Sequence, residues 1–203
     1  MIISHKDKYI FLSNRKCAST TLRTLLSKYT KECLVVSSNS PFNVFKYDDG
    51  LDADKENIDL HLEARRLKNI FDIRGWDWNS YYKFTTIRNP WDRVVSTYFF
   101  VRQFTKSFGD TVVEDINTFF HKIENFVLDS NGKLLVDDIF KVENLNDDIN
   151  IIFEKIGISV EINSVPITNT INHKPYREYY NKETKNIIAE YYKTEIEEFN
   201  YDF

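Results

Sequence analysis

A chain of 203 residues has the size of one domain, and its composition, 42% hydrophobic with 15% aromatic and 29% charged residues, supports a packed core and excludes disorder. A net charge of −4 excludes the basic footprint of a general nucleic-acid binder. Two cysteines, Cys17 and Cys33, are too few for a disulfide framework and do not stand at zinc-ligand spacing.

The opening MIISHKDKYIFLSNRK carries charges among its first residues and no long apolar stretch, so it does not read as a signal peptide. No later run approaches the ~20 apolar residues of a membrane span. KYIFLS, Lys8 to Ser13, is a β-rich apolar run that predicts a buried strand. Leu22, Leu25, Leu26 and Tyr29 follow at the i, i+3, i+4, i+7 spacing of an amphipathic helix, and CLVVS (Cys33 to Ser37) predicts a second short strand. Strand, helix and strand in this order suggest a βαβ unit and a parallel sheet.

Residues 38–59 are rich in Asn, Ser, Pro, Gly and Asp and read as a long loop. Asp59 is placed to cap a helix carrying Leu60, Ala64, Leu67 and Phe71 and ending near Gly75. YYKFTTI (Tyr81 to Ile87) predicts a further strand. Asn89 and Pro90 then read as N-cap and first residue of a helix whose apolar face is Trp91, Val94, Val95, Tyr98 and Phe99. The segment INTFFHKIENFV predicts a helix within 105–135, followed by a turn at Ser130, Asn131 and Gly132. VDDIFKVENL holds a short strand, Asp147 to Gly157 a helix, 161–178 a loop broken by Pro166 and Pro175, and Asn181 to Tyr192 a last helix. The whole predicts an α/β fold in a single domain over 1–203, since no linker separates a second one.

Two segments carry the chemistry. SNRKCASTTLRTLL joins the first strand to the first helix, where free backbone amides and the positive end of a helix dipole suit a phosphate or sulfate. Lys16 adds a positive charge, and Ser19, Thr20 and Thr21 add hydroxyls. The segment is not a Walker A loop, because it lacks G-x-x-x-x-G-K-[ST] and the first glycine of the chain is Gly50. The competing reading is that Ser19 or Thr20 only caps the helix and Lys16 is solvated. In FTTIRNPWDRVVSTYFF, Arg88 closes a strand at its carboxyl end, where open α/β sheets bind ligands, and a guanidinium suits bidentate phosphate recognition. The competing reading pairs Arg88 with a local carboxylate such as Asp92.

Together the two segments resemble the sulfotransferase family, in particular its carbohydrate branch, which uses 3′-phosphoadenosine 5′-phosphosulfate (PAPS). The family's Lys-x-x-Ser-Thr loop is matched by Lys16, Cys17, Ala18, Ser19, Thr20 and Thr21. Its Arg-[Asn/Asp]-Pro-x-x-Arg-x-x-Ser-x-Tyr signature is matched from Arg88 through Arg93 and Ser96 to Tyr98. His61 to Ala64, Glu143 to Leu145 and the closing NKETKNIIAEYYKTEIEEFNYDF also look like the family, so the resemblance covers nearly the whole chain. It implies a fold like that of P-loop nucleotide kinases, a parallel sheet flanked by helices. It gives Lys16 and the backbone of 17–21 to the 5′-phosphosulfate, Arg88 and Ser96 to the 3′-phosphate, and Lys174, in a late basic loop, to phosphate or adenosine. Cys17 departs from the small or β-branched residues of relatives and is read as a packed residue.

Sulfuryl transfer needs a base for the acceptor hydroxyl and charge neutralisation on the departing phosphate. His5 near the terminus and His121 on a predicted helix read as structural. His61, at a predicted helix N-terminus that disfavours imidazolium, is the expected base and matches the catalytic histidine of some uronyl 2-O-sulfotransferases; Glu63 is the alternative. No metal is expected, and magnesium independence follows. Arg93 belongs to the signature, but its helical position equally suits support of the fold through a carboxylate such as Asp137 or Glu143. The expected acceptor is a glycan, its pocket shaped by 38–59 and 101–135, with PFNVFKY and FFVRQF as aromatic candidates to stack on sugar faces or to fill the core; a lipid-linked sugar, a small metabolite and a tyrosyl peptide stay open as alternatives. The expected compartment is cytoplasmic if the chain is full length and the Golgi lumen only if it is an excised domain. The rival readings are a P-loop-like kinase using ATP, which would want the missing glycine-rich loop, and a non-catalytic nucleotide-binding scaffold, which would have lost Lys16 or the base.

Overall fold

Five strands form one sheet in the order β3–β1–β2–β4–β5 in the computed structural model, which describes residues 1–30, 33–35, 60–101, 106–166 and 173–203. At its centre β2 (Tyr9–Leu12) and β4 (Tyr82–Ile87) pair in parallel, with Leu12 opposite Thr85. β5 (Asp138–Lys141) continues the sheet parallel to β4. On the other side β1 (Ile2–Ser4) pairs antiparallel with β2, and β3 (Cys33–Val35) antiparallel with β1. All the strands except β1 therefore share one direction.

The predicted βαβ unit exists as β2, α1 (Ser19–Tyr29) and β3, but its strands are not neighbours, because β1 lies between them. Three residues are too few to display a strand period, and the polar turn at 5–8 hides β1 further. The loop expected at 38–59, the Asp59 cap, the end of the second strand at 36–37, and residues 102–105 and 167–172 lie outside the described residues.

Contacts divide the chain into two compact units, one of Met1–Ile87 with Phe126–Thr168 and one of Arg88–Asn125 with Asn169–Phe203. In the first, Tyr9, Phe11 and Phe84 pack with Leu22, Leu25 and Leu26 of α1 and with Ile149, Ile152 and Phe153 of α6 (Leu145–Lys155). β2 is buried on both faces, which is why it reads as a continuous apolar run rather than an alternating one. Phe71, on α2 (Ala64–Arg74), meets Trp78 and Tyr81 edge-on at 5.2 and 5.1 Å. Gly75 ends α2 in the left-handed conformation, as its position in the sequence predicts.

In the second unit α3 (Pro90–Phe100) begins as predicted, with Asn89 Oδ1 accepting from the amides of Trp91 and Asp92. Trp91, Val94 and Val95 share a core with Phe108, Val112 and Ile116 of α4 (Phe108–Phe119) and with Ile188 of α7 (Lys182–Tyr191). The helix expected through INTFFHKIENFV is two pieces, α4 and α5 (Ile123–Val127). His121 lies in the break between them, exposed, and not on a helix. After α7 comes α8 (Lys193–Glu198), a short helix beyond Tyr192, where the sequence reading placed the end of the last helix. Among the described residues no helix is long and apolar enough to cross a membrane.

Arg93 supports the second unit through a carboxylate that the sequence did not single out. Its Nη2 donates to both carboxylate oxygens of the fully buried Glu195, at 2.9 and 2.7 Å, across 102 positions of sequence. Glu195 Oε1 also accepts from the Ile123 amide at 2.6 Å, and the Arg93 guanidinium lies 4.6 Å from the centre of the Tyr192 ring. Burial pushes the Glu195 carboxyl up, against the opposing pull of Arg93. Replacing Arg93 by Met strands this carboxylate, and Arg93→Met is expected to cost about 3–5 kcal/mol. Urea unfolding checks it through the midpoint at constant slope. A loss below about 1 kcal/mol, the size of an exposed pair, would show that Arg93 and Glu195 do not fasten α8.

Candidate functional site

Residues 13–18 carry the chain from the end of β2 to the start of α1 without a glycine. Lys16 and Ala18 nevertheless adopt the left-handed conformation, with φ of 58° and 56°. For residues with a Cβ this costs about 1–2 kcal/mol each, so neighbouring groups must hold the shape. They do so by tying down the carbonyls. Ser13 O accepts from His61 at 2.6 Å, Asn14 O from Ser19 Oγ at 2.6 Å, and Arg15 O from Cys17 Sγ at 3.2 Å. Cys17 O accepts from Thr86 Oγ1 at 2.5 Å, and Ala18 O from the Leu22 amide at 3.0 Å. In a trans peptide the following amide points away from the carbonyl. Carbonyls turned into the protein therefore turn successive amides outward, the arrangement of an anion-binding concavity.

α1 suits that role. Its N-cap, Ala18, has no side chain to occupy the first amides, and its first turn holds no acidic residue. α3 shows the opposite arrangement, with its first amides taken by Asn89 and Asp92 in its first turn. Sequence reasoning passed over Arg23, four residues after Ser19. It is 9% exposed, donates from Nε to Ser19 O at 3.2 Å and from Nη2 to Thr20 Oγ1 at 3.3 Å, and adds a positive charge to the first turn of α1. Burial pulls its pKa down. The hydroxyl of Ser19, expected as an anion donor or a helix cap, is neither: its hydrogen goes to Asn14 O. Thr21 is buried, Lys16 is half-buried, and Cys17 is fully buried as a packed residue.

In the second unit Arg88 donates to Asp92 Oδ2 from Nε at 2.8 Å and from Nη2 at 2.6 Å, so the local pairing weighed in the sequence is real. Ser96 is buried on α3. Lys174 is exposed, 3.6 Å from Glu178, and follows His173, whose ring stacks on Phe99 at 5.5 Å. Thus Lys16 to Thr21 and His61 belong to the first unit, and Arg88, Ser96 and Lys174 to the second. Among the described residues no group of three or more His, Cys, Asp or Glu side chains is placed to hold a metal ion.

His61 does not begin a helix. It lies in a turn; Leu62 is buried, Glu63 is the extended N-cap, and α2 starts at Ala64. The helix dipole is thus not what prepares His61. A carbonyl can only accept, so the 2.6 Å bond to Ser13 O puts a hydrogen on Nδ1 and directs the neutral ring's lone pair to Nε2. The other histidines and Glu63 have partners of their own. His5 Nδ1 bonds the Tyr81 hydroxyl at 2.6 Å, His173 Nδ1 donates to Lys174 O at 2.7 Å, and Glu63 lies 3.6 Å from Arg65. Nitrogen NMR of the histidine rings above their titration is expected to find His61 as the Nδ1–H tautomer, the minor form in free histidine. An Nε2–H tautomer would contradict the bond to Ser13.

Sequence comparisons agree with this strand–loop–helix arrangement. The chain matches the sulfotransferase family over residues 1–202. It is 33% identical over 112 residues to an uncharacterized protein of Archaeoglobus fulgidus, an alignment covering 50% of this chain and 82% of that one. No solved structure matches. With nearly every residue inside the match, and the two signature segments lying on α1 and α3, the chain belongs to the sulfotransferase family.

Proposed function

We propose that this sulfotransferase takes the sulfuryl group of PAPS and transfers it in line to a glycan hydroxyl, with His61 as the base. The observation that carries the reading is the loop at 13–18, whose carbonyls are tied inward beside an α1 N-terminus that no side chain caps. Residues 1–203 work as a single domain in this proposal.

PAPS, when bound, supplies a sulfuryl group whose departure leaves a phosphate. Lys16 and the backbone of Cys17, Ala18, Ser19, Thr20 and Thr21 neutralise the charge that gathers on that 5′-phosphate, aided by the α1 dipole. His61 takes the acceptor proton at Nε2 while its Nδ1–H stays on Ser13 O, which fixes the ring and stabilises the imidazolium. Arg88, held in one rotamer by Asp92, and Ser96 bind the 3′-phosphate; Lys174 lies near phosphate or adenosine. No residue in this scheme needs a metal, and the acidic overall charge of the chain suits a non-nucleic-acid acceptor.

Calorimetric titration with adenosine 3′,5′-bisphosphate (PAP), the product, and with ATP, both without magnesium, tests the donor. Micromolar PAP binding with much weaker ATP binding is expected. Preference for ATP restored by magnesium would give precedence to a kinase, and binding of neither would leave a scaffold. For the base, His61→Ala is expected to slow transfer by a factor of about 10²–10⁴ while PAP affinity is unchanged. Undiminished transfer would remove His61 from that role.

A further inference from the structure

The strand that neighbours the loop fixes the loop's shape. Thr86, on β4, is fully buried, and its hydroxyl donates to Cys17 O at 2.5 Å. Its carbonyl accepts from Asn14 Nδ2 at 3.1 Å, so one residue of β4 grips the loop at both ends. Thr85, beside it and also buried, donates to Leu12 O at 2.7 Å, where β2 gives way to the loop. Cys17 stands between the two left-handed residues, Lys16 and Ala18. Holding its carbonyl therefore sets the direction of the next amide, that of Ala18, and the entry into α1. A glycine-containing loop would adopt these angles unaided; this one has none.

We infer that Thr86 is a positioning residue for sulfuryl transfer: its hydroxyl imposes the anion-binding shape on the glycine-free loop, with Asn14 as its partner. It touches neither donor nor acceptor. The inference rests on the proposal that residues 16–21 receive the 5′-phosphosulfate. It predicts that Thr86 affects recognition of the 5′ group and not of the 3′-phosphate. Hydroxyl content decides the effect, because valine has the same shape and equal aptitude for a strand.

The experiment titrates wild type, Thr86→Val and Thr86→Ser with PAP and with adenosine 3′-phosphate, which lacks the 5′ group. Thr86→Val is expected to weaken PAP about ten-fold, equivalent to 1.4 kcal/mol, with adenosine 3′-phosphate affinity unchanged; Thr86→Ser is expected to restore PAP. The unchanged second ligand also reports a folded protein. Equal weakening of both ligands, no weakening of either, or no recovery in Thr86→Ser would overturn the inference. Should Thr86→Val not fold, Asn14→Ala carries the same expectation and the same refutation. If wild type binds PAP no better than adenosine 3′-phosphate, the assignment of the loop to a 5′ group is what is lost, whatever the variants do.

Discussion

The parallel pairing of β2 with β4 is the constraint on which the first unit depends. Its register sets Leu12 opposite Thr85, and that brings Thr85 and Thr86 alongside the residues where the chain leaves the sheet. A slip of one residue would exchange the two faces of β4 and carry Thr86 away from Cys17. The burial of Tyr9, Phe11 and Phe84 against α1 and α6 makes such a slip costly, because it would turn aromatic rings out of the core. Hydrophobic packing fixes the register, the register aims two hydroxyls, and the hydroxyls shape a loop that has no glycine to shape it.

The two signature helices divide polar work in opposite ways. α1 starts bare, with Ala18 as its cap, no acid in its first turn and Arg23 folded back onto Ser19 and Thr20. α3 starts fully satisfied, with Asn89 as its cap and Asp92 both in its first turn and on Arg88. In the proposed reading the backbone at the start of α1 meets an anion and side chains do so on α3, where Arg93, one residue beyond Asp92, is committed to Glu195. Two arginines in one motif thus have different occupations, one on a neighbouring carboxylate at the start of the helix and one in the core.

What the sequence made legible was local. β2, β4, the Asn89 and Pro90 start of α3, the start of α7 near Asn181, the Gly132 turn and the end of α2 at Gly75 all have their causes within a few residues. The candidate loop was legible because strand, lysine, hydroxyls and helix follow one another directly. The misses are of another kind. β1 is too short to show a period, and its place between β2 and β3 follows from pairing alone. The partner of Arg93 is 102 residues away and that of His61 is 48 away, distances at which spacing carries no signal. His61 looked like a helix start because Leu60, Ala64, Leu67 and Phe71 keep a helical period, whereas the backbone at Glu63 is still extended. Thr86 escaped notice because a β-branched residue inside a strand needs no other explanation.

The Thr86–Cys17 bond also orders events during folding. β1 and β2 meet through a turn of a few residues, and α1 follows directly, so these contacts cost little chain entropy and form early. The grip on Cys17 spans 69 positions and cannot exist until β4 has docked beside β2. Non-local parallel pairing is the slow class of contact. The loop therefore acquires its left-handed residues late, after the scaffold on either side of it is complete. Chains whose first unit is unfinished have the lysine, the hydroxyls and the helix but not the arrangement, and the proposed competence to hold an anion arrives with the last strand pairing that the loop requires.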